Sequence, residues 1–142
     1  MASTKTETQI QWSAADSKTV SANTIQWSDA LTLNAEDWAG TLQVSADNAG
    51  TPASGDTCDV YLARSVGDIL GDSGNDFDTD EHAEYLMRLD TYATNTPGED
   101  PARKSVPIEI AGCTAIKIGV LCAQAATRNI VVRARIETHR PQ

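Results

Sequence analysis

Large apolar residues are scarce in this chain. Val, Ile, Leu and Phe supply 26 of its 142 residues, while alanine alone supplies 20. Aromatics are scarcer still, at three Trp, three Tyr and one Phe. With a net charge of −9, this composition borders on that of a disordered chain, so any core must be thin. No window approaches the ~18 apolar residues that a membrane-spanning helix requires. The opening Met1-Ala2-Ser3-Thr4-Lys5-Thr6-Glu7-Thr8 has no apolar stretch, so no secretory leader is expected.

Other absences narrow the chemistry. His82 and His139 are the two histidines, and Cys58, Cys113 and Cys122 show no C-x-x-C spacing, which excludes the usual zinc patterns. Each cysteine falls in an apolar, strand-like run and reads as a small buried hydrophobe in a reducing compartment. There is no G-x-S-x-G elbow, P-loop or H-E-x-x-H. No catalytic residue, cofactor or metal ligand is assigned. Acids outnumber bases by 20 to 11, and such a chain repels phosphate backbones, so neither nucleic acid nor membrane is an expected partner. The imbalance is uneven: residues 1–100 carry 18 acids and four bases, residues 101–142 two acids and seven bases. An acidic body with a basic last third suits either a solvated surface or head-to-tail contact with a copy or a mixed-charge partner.

Period-two alternation is the dominant positive signal. It places Ile10 and Trp12 on one face of residues 8–13, and Ile25, Trp27, Leu31 and Leu33 in one phase of residues 24–33, with a bulge near Ser28-Asp29. It recurs as Leu42, Val44 and Ala46; Cys58, Val60 and Leu62; Leu86 and Arg88 against Tyr85, Met87 and Leu89; Val106, Ile108 and Ile110; Ile116, Ile118 and Val120; and Ile130, Val132, Ala134 and Ile136. No segment keeps a helical apolar pattern over three turns, although residues 30–40 and 80–87 have room for one short helical turn each. Residues 47–56 and 93–101 are rich in Gly, Pro, Asn and Asp and read as connections. The expected fold is all-β: an antiparallel β-sandwich of about eight strands with jelly-roll or Greek-key topology. The expected organisation is an N-terminal arm (1–8), the sandwich (9–138) and a short tail (139–142). The arm would add a strand or clamp to a neighbour.

Contact residues are sought in two places. Residues 67–84 hold Asp68, Asp72, Asp76, Asp78, Asp80, Glu81 and Glu84 without a base. Asp76, Asp78 and Asp80 have the D-x-D-x-D spacing that opens a calcium loop, but Glu81 and Met87 stand where an EF-hand needs Gly and Glu. A solvated acidic loop touching basic residues of a neighbour is the reading taken, with a non-EF calcium site as the alternative. In the last strand Arg133 and Arg135 share a face with Val131, followed by His139 and Arg140. Their planar forks, with Arg128 just before, suit carboxylates across a subunit interface. The motif Ile10-Gln11-Trp12-Ser13 returns as Ile25-Gln26-Trp27-Ser28, and Trp12 and Trp27 are candidate interface anchors.

The stretch Ala46-Asp47-Asn48-Ala49-Gly50-Thr51-Pro52-Ala53-Ser54-Gly55-Asp56-Thr57-Cys58-Asp59-Val60-Tyr61-Leu62, with Phe77-Asp78-Thr79-Asp80-Glu81-His82-Ala83 and Leu89-Asp90-Thr91, resembles small β-sandwich virion proteins of tailed bacteriophages. Capsid decoration (cement) proteins are the nearest type. The resemblance implies a jelly-roll-like fold and a non-enzymatic role on the capsid exterior, bridging major capsid protein subunits. It also implies assembly in the host cytoplasm as a homo-oligomer, a dimer or trimer. A head or tail fibre base protein and a carbohydrate-binding β-sandwich are the alternatives. In the latter Trp12, Trp27, Trp38 or Tyr85 would stack on sugars.

Overall fold

The computed structural model describes residues 3–20, 23–48, 55–91, 102–123 and 130–141. Among these there are ten strands and no helix: β1 (Ser3–Gln9), β2 (Lys18–Val20), β3 (Gln26–Trp27), β4 (Leu31–Thr32), β5 (Ala39–Asn48), β6 (Thr57–Ser65), β7 (Glu84–Asp90), β8 (Ala102–Glu109), β9 (Ala115–Ala123) and β10 (Ile130–Pro141). Residues 49–54 and 93–101, within the segments read as connections, lie outside the described residues, as do Met1, Ala2 and Arg128.

Every pairing is antiparallel. One sheet runs β1-β10-β5-β8 with β2 also on β10; the other runs β3-β9-β6-β7 with β4 also on β9. β1 meets the C-terminal half of β10 and β2 its N-terminal end, so the two are one edge strand interrupted by residues 10–17. β3 and β4 likewise divide a single edge along β9. Merging each pair leaves eight strands, ordered first-eighth-third-sixth in one sheet and second-seventh-fourth-fifth in the other. That order is a jelly roll, and the expected β-sandwich is present.

The alternation delivers the core. Leu42, Val44, Cys58, Val60, Leu62, Ile116, Ile118, Val120, Ile130, Val132 and Ile136 are all fully enclosed between the sheets. Burying each such side chain is worth about 1.5–3 kcal/mol, which explains how 26 large apolar residues suffice. In β7 the enclosed residues are Met87 and Leu89, while Leu86 is half-buried. Cys58 and Cys122 are directly paired across β6 and β9 and are fully buried free thiols. The hydrogen bond to Cys122, followed by burial, pushes the Cys58 thiol far above its ordinary range, which keeps it inert. Cys113 departs from expectation: it sits half-buried in the turn after Ile110, not in a strand.

Three differences from the sequence reading have local causes. Residues 3–8, read as an arm, form most of β1 and pair with the chain's own β10, which runs on through residues 139–141 of the expected tail. The Thr-Lys-Thr-Glu-Thr alternation of β1 has no apolar beat because an edge strand closes the sandwich with threonines. Residues 10–13 leave the sheet. Ser13 and Ala14 take left-handed φ values of 51° and 64°, and their N–H groups donate to the Asp29 carboxylate at 2.9 and 2.8 Å. This excursion drops Ile10 and Trp12 into the core. The strand expected over residues 24–33 divides into β3 and β4 at the place where a bulge near Ser28-Asp29 was expected, and the Ser28 hydroxyl accepts the Ile118 N–H at 2.9 Å.

Candidate interaction surfaces

The two tryptophans of the repeated Ile-Gln-Trp-Ser motif have opposite fates. Trp12 is 2% exposed, and its indole nitrogen has no hydrogen-bond partner among the described residues. It is a core residue, and the expectation that it anchors an interface is corrected: the turn at Ser13-Ala14 points it inward. Trp27 pairs with Gly119 on β9. Ile118 and Val120 face the core, so Gly119 faces out, and Trp27 lies against it on the outer surface. A Cβ at residue 119 would meet the indole Cζ3 at 2.7 Å, so only glycine permits this packing.

Around Trp27 the outer face of the β3-β9-β6-β7 sheet is laced by side chains. The indole N–H donates to Asp80 Oδ1 at 2.7 Å. Lys117 Nζ stands 4.6 Å from the Phe77 ring centroid, a cation–π distance. Arg88 grips the buried Asp59 carboxylate at both oxygens, at 2.8 and 3.0 Å, and the Tyr85 hydroxyl donates to it at 3.1 Å. The Asp59 bond raises the pKa of the Arg88 guanidinium; partial desolvation, then Asp59, raises that of the Tyr85 phenol. Tyr61 meets Tyr85 edge-on at 5.4 Å.

The acidic loop between β6 and β7 folds over this face, braced by its own carboxylates. Asp68 accepts the N–H groups of Gly71, Asp72 and Ser73, which lowers its pKa, and Asp76 Oδ2 accepts those of Ile69 and Leu70. Asp78 Oδ2 accepts the Arg64 N–H at 3.2 Å. Asp76, Asp78 and Asp80 thus turn to three different partners, and the D-x-D-x-D spacing does not converge on one point. Asp68, Asp72 and Asp76 do come together, with one oxygen of each within 4.8 Å of the others, and all three carboxylates accept backbone N–H groups of the loop. The bracing leaves Ile69 and Leu70, with Val66 directly after β6, about 70% exposed. The sequence reading missed these exposed aliphatics; their signal was three aliphatic residues out of phase within an acidic segment.

The outer face of the β1-β10-β5-β8 sheet is different. Arg133 and Arg135 project outward from β10, beside Thr41, Gln43 and Ser45 of β5 and Ser105 of β8. The short polar side chains Thr41, Ser45 and Ser105 stand around the two arginines. Open depressions of about 260 and 150 Å³ lie on either side of Arg135. Arg135 meets Glu7 at 3.2 Å with both side chains 60% exposed, and no ion pair holds Arg133 among the described residues. Lys5 approaches Glu137 at 3.9 Å, and His139 contacts both Glu137 and the ring of Trp38. Arg140, expected as a contact residue, is turned inward: it donates to Thr6 Oγ1 at 2.8 Å and stands 3.7 Å from the buried Asp37. Arg133 and Arg135 therefore share one face, while Trp27, Asp78 and Asp80 lie across the sandwich on the other.

No protein-family model matches the chain, and no curated protein matches it.

Proposed function

We propose that this protein is a non-enzymatic virion protein that binds the exterior of a phage capsid and bridges major capsid protein subunits. The mixed-charge outer face of the β1-β10-β5-β8 sheet carries this reading. It presents two arginines held only by exposed or absent ion pairs among the described residues, on a rigid sheet whose depressions are open. An arginine with little to lose inside its own chain is free to take a carboxylate on a partner. Bridging needs a second grip, and the exposed aliphatics Val66, Ile69 and Leu70 of the β6–β7 loop supply it. Many such molecules, each making modest contacts, stabilise a shell through multivalency. Copies side by side place the acidic loop of one near basic residues of the next, and a dimer or trimer is the expected unit.

Co-sedimentation of the purified chain with emptied capsid shells tests the reading. Saturable binding is expected, lost about tenfold or more in the double variant Arg133→Glu/Arg135→Glu, since reversing charges at a contact costs several kcal/mol. A chain that stays in the supernatant at every concentration would overturn the proposal. Analytical ultracentrifugation of the free chain measures the oligomer.

A further inference from the structure

The outer face of the β3-β9-β6-β7 sheet carries a second feature, distinct from the arginines and the exposed aliphatics of the proposed shell contact. Trp27, Ala63, Phe77, Asp78, Asp80 and Lys117 line a depression of about 170 Å³. We propose that it is a binding subsite for one neutral pyranose ring, built on the Trp27 indole with the carboxylates of Asp78 and Asp80 as acceptors.

The platform is fixed before any ligand arrives. Gly119 lets the indole lie flat against β9, where any side chain would collide with it, and Asp80 Oδ1 holds the indole N–H at 2.7 Å. A ring pinned at its back and at its edge loses little freedom on binding, which is how preorganisation raises affinity. The C–H face of a sugar ring suits the electron-rich face of an indole. Sugar hydroxyls need strong acceptors and donors around that platform. Asp78 and Asp80 each spend one oxygen within the chain, and the other oxygen of each has no partner among the described residues. Lys117, poised over Phe77 at 4.6 Å, supplies an N–H donor at the same depression. Hydrogen bonds to charged groups are the stronger kind, so three of them compensate for a small apolar contact.

The charge selects the ligand. Two carboxylates against one ammonium leave the site negative, which repels phosphates and uronic or sialic acids and favours an uncharged sugar. The size selects it too. The depression is smaller than the 300–1,000 Å³ typical of drug-sized ligands, and fits a single ring or the end of a chain. The subsite lies across the sandwich from Arg133 and Arg135, so covering that face leaves it open; it shares the β6–β7 loop with Val66, Ile69 and Leu70, the second proposed grip.

Saturation-transfer NMR on the intact chain tests this, with methyl glycosides of glucose, galactose, mannose and N-acetylglucosamine, and methyl glucuronide as the charged control. At least one neutral glycoside is expected to receive saturation, with affinity in the millimolar range, on the order of 1–10 mM, and methyl glucuronide none. Asp80→Asn keeps an acceptor for the indole N–H and so keeps the platform, but it is expected to weaken binding about tenfold by removing a charged acceptor. Trp27→Phe narrows the platform and is expected to weaken binding by a similar factor at unchanged fold. No transfer to any neutral glycoside at about 10 mM, or transfer that survives both variants, would overturn the subsite.

Discussion

On the β1-β10-β5-β8 side, Arg135 and Glu7 meet at 3.2 Å with both side chains 60% exposed; on the β3-β9-β6-β7 side, Arg88 grips Asp59 at 2.8 Å with the carboxylate 11% exposed. Both are arginine–carboxylate pairs on the outside of the same sandwich. They differ in the carboxylate: both arginines are 60% exposed, but Asp59 is 11% exposed and Glu7 60%. The second face is overlaid by the β6–β7 loop and cross-linked through Asp59, Arg88, Tyr85, Trp27 and Asp80. The first is bare, with short residues between its charges. A pair whose carboxylate is buried and shared with a second donor helps hold the fold together. An exposed pair is screened by water and salt and contributes little to stability, so its arginine is available to a partner. Where an arginine is spent thus separates structural charge from contact charge better than the charge itself does.

Truncating the two tryptophans of the repeated motif separates inside from outside by the widest margin. Trp12→Ala opens a hole in the core and is expected to cost about 3–5 kcal/mol in denaturant unfolding. Trp27→Ala removes a half-buried surface ring and is expected to cost about 1–2 kcal/mol. Equal losses would mean that the inside and outside roles are drawn wrongly.

A smaller effect compares the arginine–carboxylate pairs directly. Asp59→Ala strands Arg88 and the Tyr85 hydroxyl and is expected to cost about 1 kcal/mol, a value held down because Arg88 stays open to water. Glu7→Ala is expected to stay within about 0.5 kcal/mol. A reversed order in thermal or urea melts would contradict the division between the faces.

The smallest effect concerns acid. Backbone amides from Ser73, Asp72 and Gly71 lower the pKa of Asp68 below its ordinary 3.8. A carboxyl lowered in the folded chain stabilises it above the ordinary value, and that contribution disappears as pH falls through the lowered value. Protection of the Gly71, Asp72 and Ser73 amides, taken relative to the intrinsic exchange rate at each pH, should therefore hold at pH 5 and be lost as pH falls through the lowered pKa of Asp68, ahead of core strands such as β9. Simultaneous loss everywhere would show that the loop is not braced as described.

The middle of each sheet was legible in the sequence. β5, β6, β9 and β10 are enclosed on one face, so burial writes a period of two into them, carried by residues such as Leu42, Val60, Ile118, Val132 and Ile136. Of the edges, β7 and β8 were legible, but β1 and β2 were not, because threonines closing β1 carry no apolar beat and the three residues of β2 are too few to show a period. Trp27 was placed in one phase with Ile25, Leu31 and Leu33, and its outward position was not legible, since it depends on Gly119, a residue distant in sequence that leaves room for the ring. Arg133 and Arg135 were legible as one face because alternation alone sets their direction. Arg140 was not: its contacts with Thr6 and Asp37 come from segments far away along the chain. The acidic loop was visible as composition, but its hydrogen bonds to its own backbone, and the exposed aliphatics they leave, are tertiary facts.

If one face grips the shell and the opposite face stays open, cryo-electron microscopy of decorated shells will show which is which. The expected density has Arg133 and Arg135 of the β1-β10-β5-β8 sheet lying against the major capsid protein while Trp27 points to solvent. A bound orientation with Trp27 against the shell and those arginines exposed would contradict it.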